Sequence, residues 1–177
     1  MKKNTIALVL GMGMAVVAGS AMAASDKTTD STHVYFDGTI NNTPCSIPST
    51  SRDQHVDMGS IAAHVLKDGG TSDPESFHFD LKDCPAGAAV SVTFDGASDP
   101  NSSGKTLLSL GSGEASGAGI QILANGAPVT LGTPTAKQNL GDKDNTLTFA
   151  AQLKGDDASQ VTTGEFKAVS NVTFTYQ

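Results

Sequence analysis

Three short stretches carry residue types that bind phosphate or metal. Gly104-Lys105-Thr106 ends like a phosphate-binding loop, in which backbone N–H groups and a lysine cradle the anion. The glycine that such a loop needs five residues earlier is Asp99, however, and an exported chain meets little ATP. Gly111, Gly113, Gly117 and Gly119 miss the dinucleotide fingerprint, because the last two precede an expected strand and no helix follows to hold a pyrophosphate. They read as turn material. Asp99-x-Asn101-x-Ser103-Gly104 and Asp142-x-Asp144 open like calcium loops, but Leu110 and Leu153 stand where the twelfth-position glutamate belongs. Both read as solvated turns.

Catalytic constellations are equally incomplete. The chain has no nucleophile elbow and no His-Glu-x-x-His pattern, so the reading includes no enzyme activity, no cofactor and no metal. Cys45 and Cys84 are the two cysteines. Zinc would need about four ligands at close spacing, whereas His33, His55, His64 and His78 are scattered and none stands two to four residues from a cysteine. In an oxidising compartment an even pair is expected to be a disulfide. Closing the loop between them contributes about 4 kcal/mol in the loop-entropy account.

The N-terminus supplies that compartment. Lys2 and Lys3 precede an apolar run from Ile6 to Ala18, and Ala21-Met22-Ala23 has the small residues a signal peptidase reads, so residues 1–23 are expected to be a secretory signal. The apolar core is short for a bilayer span. Removing 23 of the 177 residues leaves 154, enough for one core, and loss of the two lysines moves the formal charge from -7 to -9. That balance disfavours nucleic acid and anionic membrane surfaces as partners.

The elements that must position anything functional are strands. Val34–Ile40 is rich in strand formers, and Phe77–Leu81 and Val90–Phe94 alternate strictly. Ala118–Ala124 leads to Asn125-Gly126, a strong hairpin turn, with Val129–Leu131 expected to return, and Thr146–Leu153 is the penultimate strand. Ile61–Lys67 is expected to form a helical turn, and residues 95–119, rich in glycine and serine, a surface loop. Strands at this density predict an antiparallel sandwich.

The last seventeen residues carry the first functional clue. From Gly164 every second residue is small or apolar: Phe166, Ala168, Ser170, Val172, Phe174 and Tyr176. The intervening positions are mostly charged or hydroxylic, which is the period of a long strand with one buried face. No chain follows to pair with its second edge, and an edge of that length invites a strand from another chain. At the opposite end residues 24–33 form a polar segment without glycine or proline.

Taken in order, these residues resemble the major-pilin family of type 1 fimbriae, built by the chaperone-usher pathway. The resemblance spans residues 24–177. It rests on Val34-Tyr35-Phe36-Asp37-Gly38 followed by Pro44-Cys45-Ser46-Ile47, on Val56-Asp57-Met58-Gly59, on Phe77-x-Phe79-x-Leu81-x-Asp83-Cys84, and on Gly119-Ile120-Gln121-Ile122. Gly164 fourteenth from the end and the penultimate Tyr176 complete the pattern. The resemblance implies an all-β, incomplete immunoglobulin-like β-sandwich of six strands, spanning 34–177, whose missing seventh strand leaves a groove along the last strand. Gly164, Phe166, Ala168, Val172, Phe174 and Tyr176 would form that groove. A periplasmic fimbrial chaperone, and then the arm of a homologous pilin at an outer-membrane usher, would fill it. Residues 24–33 would be this chain's own donor arm, with Thr28, Asp30, Thr32 and Val34 on the inserting parity. Family arms alternate apolar residues and carry a central glycine; this arm is polar, and its register is expected to be weaker or to extend into Val34 and Phe36. The implied role is a structural subunit of an extracellular fimbria that supports cell adhesion. A minor subunit, or an adhesin-type module recognising a host glycan on a host-surface receptor, is the alternative.

Overall fold

Strand formers alternate with polar residues wherever a strand has one face toward the core, and the computed structural model of the chain follows that pattern. It describes residues 30–38, 40, 42–156 and 160–177; residues 1–23, the expected signal, and 24–29 of the expected arm lie outside them. The chain divides into the units Met1–Thr39 and Ile40–Gln177.

In the second unit, five strands of six residues or more build the sandwich: β1 (Glu75–Cys84), β2 (Ala89–Asp95), β5 (Ala118–Ala124), β8 (Lys143–Gly155) and β10 (Asn171–Tyr176). Five two-residue strands join them: β3 (Leu108–Ser109), β4 (Ser112–Gly113), β6 (Ala127–Pro128), β7 (Gln138–Asn139) and β9 (Phe166–Lys167). One sheet runs β1-β8-β5-β3 with β6 on β5, a second runs β10-β2-β7, and β4 pairs with β9. All these pairings are antiparallel.

The core lies between the two larger sheets. Leu147, Phe149, Ala151 and Leu153 of β8 are buried at every second position; Leu147 and Phe149 share the main core with Val90, Val92 and Phe94 of β2, each at most 1% exposed. Phe94 meets Phe149 edge-on at 5.0 Å and Phe77 at 6.2 Å, joining β2 to β8 and β1. Each such aromatic pair contributes about 1 kcal/mol beyond its area burial. Cys45 and Cys84, both buried, form the expected disulfide. Reciprocal backbone hydrogen bonds of 2.8 Å between Ser46 and Lys82 extend that attachment to β1.

Four expectations differ from the observed elements. Residues 34–38 form no strand, although Val34, Tyr35 and Phe36 are good strand formers. A strand needs a neighbouring edge for its N–H and C=O groups, and local propensity supplies none. The Asn125-Gly126 turn forms with φ +51 and +78, the conformation such hairpins require, but the returning strand is Ala127–Pro128 rather than Val129–Leu131. Pro128 has no N–H to extend the ladder, although the Val129 N–H still reaches the Ile122 carbonyl at 2.9 Å. Residues 95–119 are more than a surface loop, since Leu107, Leu108, Leu110 and Ala118 are buried in them. The expected helical turn appears as a 3-10 segment, Ala63–Gly69, broken at Lys67 and Asp68.

Candidate functional site

The C-terminal alternation is present from Phe166 to Tyr176 without a slip. The even positions are half-buried and the odd positions are exposed. As a hydrogen-bonded element, however, it is two pieces. Phe166–Lys167 pair with β4, and Asn171–Tyr176 pair with β2 from Asn171↔Asp95 to Tyr176↔Val90. Between them the chain changes partners, and the Ser170 hydroxyl donates to the Asp95 carbonyl at 3.0 Å. The single long strand of the sequence reading is thus a strand that switches sheets while keeping its side-chain parity.

β10 stands at the edge of its sheet, with β2 on one side and no described strand on the other. Its inward face remains part open. Ala168, Val172, Phe174 and Tyr176 pack on the main core while staying half-exposed, and Phe174 meets Phe79 edge-on at 5.2 Å. Phe166 packs instead on a second cluster of Leu66, Leu110, Ala118 and Leu153. Buried apolar surface is worth about 25 cal/mol per Å², so a row of half-covered apolar side chains along an edge strand favours whatever completes the cover. The Tyr176 Oη is buried without a hydrogen-bond partner among the described residues, and burial raises its phenol above the ordinary value.

At the Phe166 end the edge opens into a cavity of about 710 Å³. Val56, Ile61 and Leu66 line it together with Leu110, Ala115 and Phe166. The 56–61 side of this cavity is irregular backbone.

Gly164 is at the same end. Its φ of +156 and the approach of Glu114 and Ala115 leave no room for a Cβ, which would stand 2.6 Å from the Glu114 Cβ. Sequence spacing singled out Gly164 but passed over its partners. A Cβ on Gly111, Gly113 or Gly117, each at positive φ, would overlap the backbone carbonyl of Lys167, Glu165 or Gln160 respectively. These glycines, taken as turn material, form the surface on which the C-terminal segment lies. Their spacing of two and four was the available signal.

The metal-like and phosphate-like stretches resolve into structural turns. Asp99 is buried; its Oδ1 accepts the Asn101 N–H at 2.8 Å, and Asn101 Nδ2 donates to Asp156 Oδ2 at 3.2 Å. Burial raises the Asp99 carboxyl above its usual range, the Asn101 N–H opposes the shift and the Asp156 charge adds to it. Asp144 pairs with Lys82 at 2.9 Å on the surface. Gly104 and Lys105 belong to a three-residue 3-10 turn, not to the start of a helix. Among the described residues no three or more histidine, cysteine or acidic side chains gather as metal ligands, and no helix is long and apolar enough to cross a membrane.

Of the expected arm, Thr28 lies outside the described residues, and Asp30 and Thr32 are exposed. Val34 is 69%, Tyr35 84%, Phe36 91% and Ile40 102% exposed. Large apolar side chains in that state are uncommon unless something covers them in use. The sequence reading placed Val34–Ile40 among the strands and expected a polar arm at 24–33; instead an apolar, exposed segment follows the expected arm.

The comparisons with known proteins bear on this geometry. The Fimbrial protein family matches residues 34–177. The chain is 42% identical to the "Major MR/P fimbria protein" of Proteus mirabilis, covering all of both chains. It is 40% identical to the "Fimbria A protein" of Serratia marcescens over all of this chain and 99% of that one. A solved structure of a chaperone-usher pilus superposes with a TM-score of 0.71 at 27% identity, covering 85% of this chain and 98% of the other. The fold is the incomplete immunoglobulin-like sandwich, and the chain belongs to the fimbrial protein family.

Proposed function

We propose that this chain is a structural subunit of an extracellular chaperone-usher fimbria, polymerising when a strand from another subunit fills the open side of β10. The observation that carries the reading is the half-buried row Phe166, Ala168, Val172, Phe174 and Tyr176 along the C-terminal segment, whose last strand, β10, stands at a sheet edge. Relatives of similar length named as a major fimbria protein and a fimbria protein, and a neighbour solved as a chaperone-usher pilus, support it. Its role is mechanical rather than catalytic. Head-to-tail strand addition is a heterologous contact that never closes, so it yields a fibre.

The donor is the chain's own N-terminal segment once the signal, residues 1–23, has been removed. Residues 24–33 give length, about 33 Å when extended, but Thr28, Asp30 and Thr32 offer little apolar area. Val34, Phe36 and Ile40 lie on the same parity as those residues, with Gly38 between them, and are exposed in the single chain. The register therefore extends through Val34–Ile40, which supplies the apolar alternation and the glycine that residues 24–33 lack. Before assembly a periplasmic chaperone would cover the same edge, and an outer-membrane usher would exchange it for the next subunit's arm.

The test uses a fluorescein-labelled synthetic peptide spanning residues 24–43 and the oxidised mature chain, diluted so that it stays monomeric. Saturable binding of the peptide, with a raised unfolding midpoint, is expected. A peptide in which Val34, Phe36 and Ile40 are replaced by serine should fail. Equal binding of the two peptides would overturn the register, and absence of binding by the natural peptide would overturn strand addition.

A further inference from the structure

Two glycines stand where β4 pairs with β9, Gly113 within β4 and Gly164 just ahead of β9. Gly113 has φ +147, and a Cβ on it would overlap the Glu165 carbonyl oxygen. Gly164 has φ +156, and a Cβ on it would stand 2.6 Å from the Glu114 Cβ and 2.9 Å from the Ala115 nitrogen. The reason for both is one set of hydrogen bonds: the Glu114 and Ala115 N–H groups donate to the Glu165 carbonyl at 3.0 and 3.4 Å. Gly113 is directly paired with Phe166.

The same short stretch, Gly164 to Phe166, lines the cavity at the end of the open edge. We infer that Gly113 is a positioning residue for strand acceptance: with Gly164 it sets how closely Glu165 and Phe166 approach β4, and so the shape of that cavity. This rests on the strand-addition reading above. A methyl on Gly113 meets backbone rather than the end of a flexible side chain, so β4 and the Glu165–Phe166 backbone must move apart to admit it. That shift re-aims Phe166, the side chain that joins the edge to the second core cluster.

A glycine needed only for its own turn is a useful contrast. Gly126 has φ +78 in the β5–β6 hairpin, with nothing within 4 Å of where a Cβ would stand. Gly126→Ala carries backbone strain but displaces no neighbour.

The experiment measures binding of the labelled 24–43 peptide to full mature chains carrying Gly113→Ala, Gly164→Ala, both, or Gly126→Ala, at a temperature where each is folded by circular dichroism. Gly113→Ala is expected to weaken binding by about tenfold or more, and Gly126→Ala by no more than about twofold. The Gly113/Gly164 double variant should bind less weakly than the product of the single losses predicts, because either methyl already opens the crossing. Should Gly113→Ala yield no folded chain, Gly111→Ala, whose methyl would meet the Lys167 carbonyl, makes the same measurement. Wild-type binding by Gly113→Ala, or by Gly111→Ala in its place, would overturn the inference. So would an equal loss in Gly126→Ala. Failure of the unaltered chain to bind would overturn strand addition itself, a result distinct from either.

Discussion

At the scale of single residues, residue type and compartment pointed to the Cys45–Cys84 disulfide, whereas Gly164 and Tyr176 were singled out by the resemblance to the pilin family. The disulfide is buried and ties the segment before the 3-10 turn Ser49–Ser51 to β1. Cys45→Ser or Cys84→Ser is expected to cost about 3–4 kcal/mol, a large part of the usual stability of about 5–15 kcal/mol. Reduced periplasmic yield and a lower urea midpoint would register that loss; unchanged values would contradict it. Gly113 was not legible, since its requirement comes from a carbonyl more than fifty residues away in sequence. Asp99 likewise looked solvated and is buried. Its folded-state carboxyl is raised above the unfolded value, so the ionised form is penalised in the fold. That penalty is full above the folded pKa and is relieved as pH falls through it. Asp99→Asn should therefore stabilise the chain near neutral pH and remove the local gain on acidification. Urea midpoints at about pH 7 and about pH 4.5 for both proteins test this; a neutral-pH loss in the variant would contradict it.

At the scale of elements, period-two alternation located β1, β2, β5, β8 and the C-terminal strand, because one-faced burial leaves that trace in any sequence. It could not show that the C-terminal strand changes sheets near Ser170. Side-chain parity is continuous there while the hydrogen-bond partner is not. Nor could propensity show that residues 34–38 pair with no described strand, since strand propensity reports fitness for an edge and not the presence of one. Parity gives a sharp expectation for the open edge. Val172→Lys should abolish binding of the 24–43 peptide, whereas Thr173→Lys, on the exposed face, should leave it unchanged and alter stability by no more than about 0.5 kcal/mol. Equal effects at the two positions would show that the inward face is not the acceptor. Deleting Thr173–Gln177 removes most of β10 and should abolish co-purification with the periplasmic chaperone. A truncated chain still captured at the normal level would place the chaperone's contact elsewhere.

At the scale of the whole molecule, no described strand covers the outer edge of β10, and the chain carries an exposed apolar segment of the kind that covers such an edge in another subunit. An isolated edge of this kind is a liability in a monomer and a joint in a polymer. The most direct test of that account is assembly with a subunit that can accept but cannot donate. Mature chain lacking residues 24–40 keeps Cys45 and the whole sandwich, so it should fold, form its disulfide and bind the 24–43 peptide. Mixed with the full mature chain, it should insert into no preceding subunit. It should therefore appear only at fibre ends, one copy per fibre, as seen by electron microscopy of a gold-labelled truncated chain. Gold distributed along the fibre length at the mixing ratio would contradict the account, because the shortened chain would then be both accepting and donating without its arm.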